Sequence, residues 1–246
     1  MNTKEELVNL LIHDLIGPLS VAASSADSLL HKSHRYGPLS EQQIHVVERV
    51  LRNVRKAQTF LQEMVEISRC EEGIFQGEFF PVERALRESL LDAFELVTPN
   101  MIEKLCSLED PHEFRQILDS CGVSIEIKGK YTRSPFRHDL KKVCQILRNL
   151  ISNALKYRRQ RMAVFISGES DLLVSVEDDG RGIPQEELET IFKRFYRLKD
   201  EKRPEVPGLG LGLTGVRAMV EAMGGDITVE SRENVGTRFV VRIPSL

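Results

Sequence analysis

The stretch NLISNALKYRRQRMAVFISGESDLLVSVEDDGRGIP, residues 149–184, decides the fold. It opens inside a helical pattern that runs from Leu140 to Tyr157. Two short apolar runs follow, Met162 to Ile166 and Leu172 to Val176, which read as strands. The glycines at 180 and 182 then mark a turn. Working outward, the same alternation recurs. A short strand at Phe79 to Val82 precedes a helix from about Glu83, and Val123 to Ile127 alternates as a strand does. Leu188 to Tyr196 and Leu213 to Met223 read as helices, and Ile227 to Glu230 and Arg238 to Ile243 close the chain as strands. Strands and helices in this order predict an α+β sandwich with helices packed on one sheet face.

The first third reads differently. Ile12, Leu15, Leu19, Ala22, Ala26 and Leu29 recur at helical spacing and form one apolar stripe. Gly37 and Pro38 mark a loop, and Ser40 suits the N-cap of a second helix with a stripe of Val47, Leu51, Val54, Leu61 and Val65. Two helices with one stripe each make an antiparallel hairpin. A lone hairpin buries little, so two copies are expected to pair as a four-helix bundle. The boundary falls near Glu72 to Glu78, which divides the chain into residues 1–74 and 75–246.

Composition narrows the class. Hydrophobic residues make up 41% of the 246 and charged residues 29%, which is neither a disordered nor a membrane composition. No stretch is long and apolar enough for a bilayer span, and nothing reads as a signal peptide, so a cytoplasmic protein is expected. The net charge of -3, with basic residues scattered, argues against nucleic acid as the main partner. Cys70, Cys106, Cys121 and Cys144 lie far apart without a CxxC pair and read as reduced thiols in or near cores.

His13 is the first residue that suggests chemistry. On a helical wheel it falls roughly 145° from the centre of the first stripe, with the small residues Gly17, Ser20 and Ser24 on its side. That is an open face, as a surface nucleophile needs. Asp14 can orient or deprotonate the imidazole and leave the distal nitrogen free to attack. Pro18 removes the N–H that would pair with the Asp14 carbonyl, so a bend is expected there. Taken locally, a solvated histidine with an ordinary acidic neighbour is the better account of the pair.

Further signals lie in the second part. Asn149 and Asn153 share a helix face, with Lys156 following at three. Amide oxygens suit Mg²⁺, Lys156 suits phosphate, and the Tyr157 ring suits a nucleobase. Asp178 sits at a strand end, where a carboxylate can accept a hydrogen bond from an exocyclic amine, and Gly180 and Gly182 let backbone approach a ligand. Gly208, Gly210 and Gly212 then open a helix, where N–H groups and the positive dipole end favour phosphate. The charged, proline-bearing run from Lys199 to Val206 reads as a lid.

In this combination and order the signals resemble the sensor histidine kinases of two-component systems. His13-Asp14-Leu15-Ile16-Gly17-Pro18-Leu19 resembles the family's H box, Gln145 to Tyr157 its N box, and Asp178 to Pro184 its first glycine box. Ile191 to Tyr196 resembles the F box and Gly208 to Leu213 the second glycine box. The resemblance covers nearly the whole chain. It implies a homodimeric phosphoacceptor hairpin and a second domain of the type shared by gyrase, Hsp90 and MutL that binds ATP and Mg²⁺. His13 is then the phosphoacceptor and Asp14 its acid/base. Asn153 is the main Mg²⁺ ligand, supported by Asn149. Lys156 contacts phosphate, Tyr157 flanks adenine and Asp178 takes its amine. Gly180 and Gly182 shape the pocket floor, and Ile183, Phe195 and Leu213 complete the nucleotide site. Gly208, Gly210 and Gly212 form the lid hinge. The implied recipient is an aspartate on the receiver domain of a response regulator.

Four departures from the family pattern stand out. Gly17 replaces the Thr or Asn tied to phosphatase action, which predicts weak or absent phosphatase activity. Ile16 replaces a commonly basic residue, and Met223 stands where His is common. Leu105 to Ser120 looks like added length, expected as a lengthened surface helix. The few residues before His13 leave no room for a sensor domain, so the signal is expected through a separate sensory partner or from a longer chain. Two rivals remain: an anti-sigma serine kinase, which the His-bearing hairpin opposes, and a catalytically silent dimeric docking scaffold, which the retained boxes oppose.

Overall fold

The computed structural model describes residues 3–70, 75–108, 110–193, 196 and 210–246, without the side chains of 3–13, 33, 34, 59, 60 and 62–70. Backbone contacts divide the chain into two compact units, Met1–Arg69 and Cys70–Leu246.

The first unit is a helical hairpin of α1 (Thr3–His31) and α3 (Glu41–Cys70), with the single turn α2 (Ser33–Tyr36) between them. The connection is built as its sequence requires. Gly37 takes a φ of +82°, open to glycine without strain. Ser40 and Gln43 then form a capping box: Ser40 Oγ accepts the Gln43 N–H (3.3 Å) and Gln43 Oε1 accepts the Ser40 N–H (2.8 Å). Across the hairpin, Gln58 Nε2 donates to Ser20 Oγ at 3.1 Å, and Arg55 pairs with Asp27 at 3.5 Å. Higher numbers on α1 meet lower numbers on α3, so the helices are antiparallel.

The first stripe is only partly buried. Ala26 is buried and Leu19 half-buried, while Leu15 and Ala22 are exposed. Ile16, Ala23 and Leu30 take the inner positions instead. The stripe is wider than one partner helix can cover, and α3 covers its Ile16–Ala23–Leu30 side.

The second unit is the α+β sandwich. Five strands run in the order β2 (Val123–Ile127), β4 (Met162–Ser167), β5 (Leu172–Asp178), β7 (Gly236–Ile243) and β6 (Asp226–Arg232). Only β2 and β4 are parallel. The helices α4 (Val82–Val97), α7 (Leu140–Tyr157) and α8 (Gly212–Ala222) bury Leu90, Phe94, Leu147, Leu150, Ile151 and Val216 against Val164, Ile166, Val174, Val176 and Val241. Alternate residues on these strands face the other way, as a one-sided sheet requires.

A second sheet pairs β1 (Glu78–Phe80) with β3 (Phe136–His138). Strand β3 was not read from the sequence. Two expectations are corrected here. The described part of Leu188 to Tyr196 is not a helix; it contains one 3₁₀ turn, Thr190–Phe192, which follows another at Gln185–Glu187, and the Phe192 carbonyl accepts from Thr214 Oγ1 (2.9 Å). The segment Leu105 to Ser120 is not one lengthened surface helix. Its α5 (Ile102–Cys106) and α6 (Pro111–Ser120) bury Leu105, Phe114 and Leu118 in the main core, and the Arg87 guanidinium lies 4.2 Å over the Phe114 ring and donates to the Leu108 carbonyl. Cys106, Cys121 and Cys144 are free; Cys106 is exposed rather than near a core, and burial pushes the Cys144 thiol up to about 11.

Candidate functional site

Helix α7 organises the site. Asp139 caps it, its Oδ1 accepting the Lys142 N–H at 3.1 Å, as its place before an apolar helical run anticipates. Val143, Ile146, Leu147, Leu150, Ile151, Ala154 and Leu155 anchor one side in the core. That leaves Asn149, Asn153 and Lys156 half-buried along the free side and Tyr157 exposed at the end. From Asn149 to Tyr157 the helix advances about 12 Å.

Both ends of this row meet another element. A β-carbon at Gly212, the first residue of α8, would lie 4.0 Å from Asn149 Cγ, so the α8 N-terminus abuts Asn149. A β-carbon at Gly180 would stand 2.4 Å from the Tyr157 carbonyl oxygen and 2.5 Å from Asp178 Oδ1. Only glycine lets the loop after β5 pass between them. Thus Asn149, Asn153, Lys156, Tyr157, Asp178, Gly180, Gly212 and the neighbouring Leu213 are brought to one region.

The loop after β5 is braced from two directions. Asp178 Oδ1 accepts the Gly180 N–H at 2.8 Å. Burial pushes the Asp178 carboxyl up to about 6, with the Gly180 N–H pulling the other way. On one flank, Asp179 Oδ1 accepts the backbone N–H groups of Arg159, Gln160 and Arg161 at 2.9, 3.0 and 3.0 Å. Burial would raise that carboxyl, but these donors hold it below its ordinary range. On the other flank, Ser231 Oγ accepts the Ile183 N–H (2.8 Å), and the Arg181 carbonyl accepts from Asn234 N (2.6 Å). Gly182 has a φ of +72°, and a β-carbon there would stand 2.1 Å from the Arg232 carbonyl.

Asp179, Ser231 and Asn234 were not singled out from the sequence. The doubled Asp178-Asp179 was the visible signal for the first; the other two come from a strand and turn far along the chain. Gly210, with a φ of +72°, lies just ahead of α8. Phe195 and Gly208, and the lid expected over 199–206, lie outside the described residues.

His13 lies within α1, its side chain outside the described set, and Asp14 is exposed. Pro18 stands inside α1, which continues past it to His31. Gly17 has open space where a β-carbon would go.

The donor set fits the cofactors read from the sequence. Hard amide oxygens on one face of α7 suit Mg²⁺, and no group of three or more His, Cys, Asp or Glu that would hold a softer metal occurs among the described residues. Among the described residues, no helix is long and apolar enough to cross a membrane.

The family of histidine kinase-, DNA gyrase B-, and HSP90-like ATPases matches residues 138–246. The chain is similar to the sensor histidine kinase WalK of Bacillus subtilis, 27% identical over 98% of this chain and 36% of that protein. It is also similar to the circadian input-output histidine kinase CikA of Synechococcus elongatus, 28% identical over 98% of this chain and 30% of that one. The chain therefore spans about a third of the length of these relatives. Among solved structures, full-length ShkA in complex with AMPPNP shares the fold, with a TM-score of 0.69 at 21% identity over 98% of this chain and 46% of that chain. The histidine kinase AdeS of Acinetobacter baumannii shares it too, with a TM-score of 0.55 at 21% identity over 95% and 98% of the two chains. The α7 row and the glycine-braced loop at its end thus lie inside the region that matches the histidine kinase-, DNA gyrase B-, and HSP90-like ATPases, and the chain as a whole is similar to sensor histidine kinases.

Proposed function

We propose that this chain is an ATP-dependent protein-histidine kinase that phosphorylates its own His13 and passes the phosphoryl group to an aspartate on a response-regulator receiver domain. The observation that carries this reading is the row Asn149–Asn153–Lys156–Tyr157, closed at one end by Gly212 and at the other by Asp178 and Gly180. A nucleotide laid along that row has a carboxylate for its exocyclic amine at the Tyr157 end. Its phosphates lie toward Lys156 and the α8 N-terminus, where backbone N–H groups favour negative charge.

The chemistry asks mainly for positioning and charge neutralisation. The distal nitrogen of His13 attacks the γ-phosphorus in line. A P–N bond forms, the bond to the β–γ bridging oxygen breaks, and ADP leaves. Asp14 accepts the imidazole proton and orients the ring. Asn149 and Asn153 would hold Mg²⁺, which supplies neutralisation of the phosphate charge when bound. The phosphoramidate is reactive enough to pass its phosphoryl group to a carboxylate.

The reading extends to a homodimer joined through residues 1–74, to the ATP-binding role of residues 75–246, and to a cytoplasmic site of action. It also holds that Gly17, lacking a side chain to orient water, leaves phosphatase activity weak; dephosphorylation of the regulator dependent on this chain would overturn that point. The kinase test is incorporation of γ-labelled phosphate with Mg²⁺-ATP. Native chain should take acid-labile label and His13→Gln none, at unchanged nucleotide affinity. A native chain that binds nucleotide and takes no label would favour the silent scaffold instead.

A further inference from the structure

Asp139 uses its two oxygens on two different segments. Oδ1 caps α7 through the Lys142 N–H, and Oδ2 accepts the Gln76 N–H at 3.1 Å. Beside it, Phe75 meets the His138 ring edge-on at 5.5 Å and 61°, and His138 stacks on Phe136 at 6.0 Å and 15°. His138 is fully buried, and its Nδ1 accepts the Asp139 N–H at 2.8 Å. Its Nε2 must then carry the ring proton, and it finds no acceptor among the described residues. An orphaned buried donor costs stability, so packing alone would favour an apolar residue at this position. The histidine instead fixes the Asp139 backbone and supplies a face for Phe75.

Phe75 and Gln76 are the first described residues after α3 ends at Cys70. In chain order they stand between α3 and α7, and they belong to the second unit. The attachment is to the first turn of the helix that bears Asn149, Asn153 and Lys156.

We infer that Asp139 is a positioning residue: it straps Phe75–Gln76 to the start of α7, and the strap governs phosphoryl transfer to His13 rather than nucleotide affinity. This rests on the kinase reading above. The nucleotide contacts begin at Asn149, more than two helical turns beyond the cap, so a loosened strap leaves them intact. What it changes is how firmly the segment that follows the hairpin in the chain is tied to the ATP-bearing helix. Transfer is sensitive to such geometry, since a misplacement of about 1 Å costs on the order of a hundredfold.

The test uses the full chain. Asp139→Ser keeps one oxygen for the Lys142 N–H and lacks the second for Gln76; Phe75→Ala removes the ring contact. Affinity for a fluorescent ATP analogue should stay within about twofold, while label incorporation at saturating Mg²⁺-ATP falls roughly tenfold. The double variant should fall no further than the worse single one, because both cut the same strap. Unchanged transfer rates, or an affinity loss that matches the rate loss, would overturn the inference. Amide hydrogen exchange gives an arm independent of catalysis: Asp139→Ser should speed exchange at Gln76 and spare Lys142, and equal protection at Gln76 would sink the strap. If the native chain takes no label, the kinase reading falls while the exchange arm still decides the strap.

Discussion

The helical hairpin and the α/β unit solve the burial problem in opposite ways. In the α/β unit, α4, α7 and α8 close one face of the sheet, and Leu90, Phe94, Leu150, Ile151 and Val174 have no solvent exposure at all. In the hairpin, the buried residues among those described are Ala26, Leu51 and Leu61, none of them completely, while Leu15, Val21, Val46 and Val50 remain exposed. The α/β unit is complete as folded, and the hairpin presents apolar surface that one chain does not cover. The unit with the deep core can hold a costly ionisable group in place for a ligand. The unit with the thin core carries the proposed phosphoacceptor, His13, within α1.

The largest expected effect tests that contrast at its most costly group, Asp178. Its folded-state value of about 6 lies above the 3.8 of an unperturbed carboxyl. The folded chain therefore retains a proton that the unfolded chain has lost between those values. Asp178 weakens the fold as pH rises through that window, by up to about 3 kcal/mol above it. Asp178→Asn removes this cost and keeps an oxygen for the Gly180 N–H, so the ligand-free chain should melt several degrees higher. The same change turns the remaining acceptor into an N–H₂ donor facing an amine, and nucleotide affinity should drop about a hundredfold. In the native chain, affinity should weaken as pH falls through about 6, because the protonated carboxyl is a poorer acceptor. Calorimetric melting and titration with nucleotide across that range check both halves. An Asn variant that loses stability together with binding would mean Asp178 is chiefly structural.

Much of this was legible in the sequence, and unevenly so. Helix α7 and strands β4, β5 and β7 carry long, consistent periods, and the structure has them where the pattern falls. Asp139 as a cap and Ser40 as a cap were readable because capping depends on residues a few positions apart. What was not readable depends on distant partners. Strand β3 has three residues and exists because Phe136 to His138 pair with β1. The apolar spacing of Leu188 to Tyr196 satisfies a helix on paper, yet Ile191 and Phe192 are buried from 3₁₀ turns and the Phe192 carbonyl is taken by Thr214. In the candidate site, residue types and order gave the α7 row and Asp178. The brace around them, from Asp179, Ser231 and Asn234, is a product of tertiary contact.

Asp179 gives the intermediate effect. Its Oδ1 gathers three backbone N–H groups from the segment that follows Tyr157. Asp179→Ala strands those donors and should cost about 1–2 kcal/mol of folding stability, with a few-fold loss of nucleotide affinity through Tyr157. Asp179→Asn keeps an oxygen at the same place and should recover most of both. Urea melts and nucleotide titration of the pair check this; an Asn variant as impaired as Ala would show that charge, not the acceptor oxygen, is what matters.

The smallest effect in the folded single chain tests the other side of the comparison. Leu15 and Val50 are 53% and 47% exposed. Truncating either to Ala in a chain held dilute enough to stay monomeric should shift stability by less than about 0.5 kcal/mol, as surface changes do. If a second copy covers these residues, the cost of the same truncation must grow with protein concentration, because association stabilises the fold by mass action. Melting the native chain, Leu15→Ala and Val50→Ala over a concentration series, with sedimentation to follow mass, separates the cases. A gap between native and variant that widens with concentration supports pairing through the hairpin. A gap that stays flat while the mass stays monomeric would mean the exposed stripe is simply solvated, and the hairpin stands alone despite its thin core.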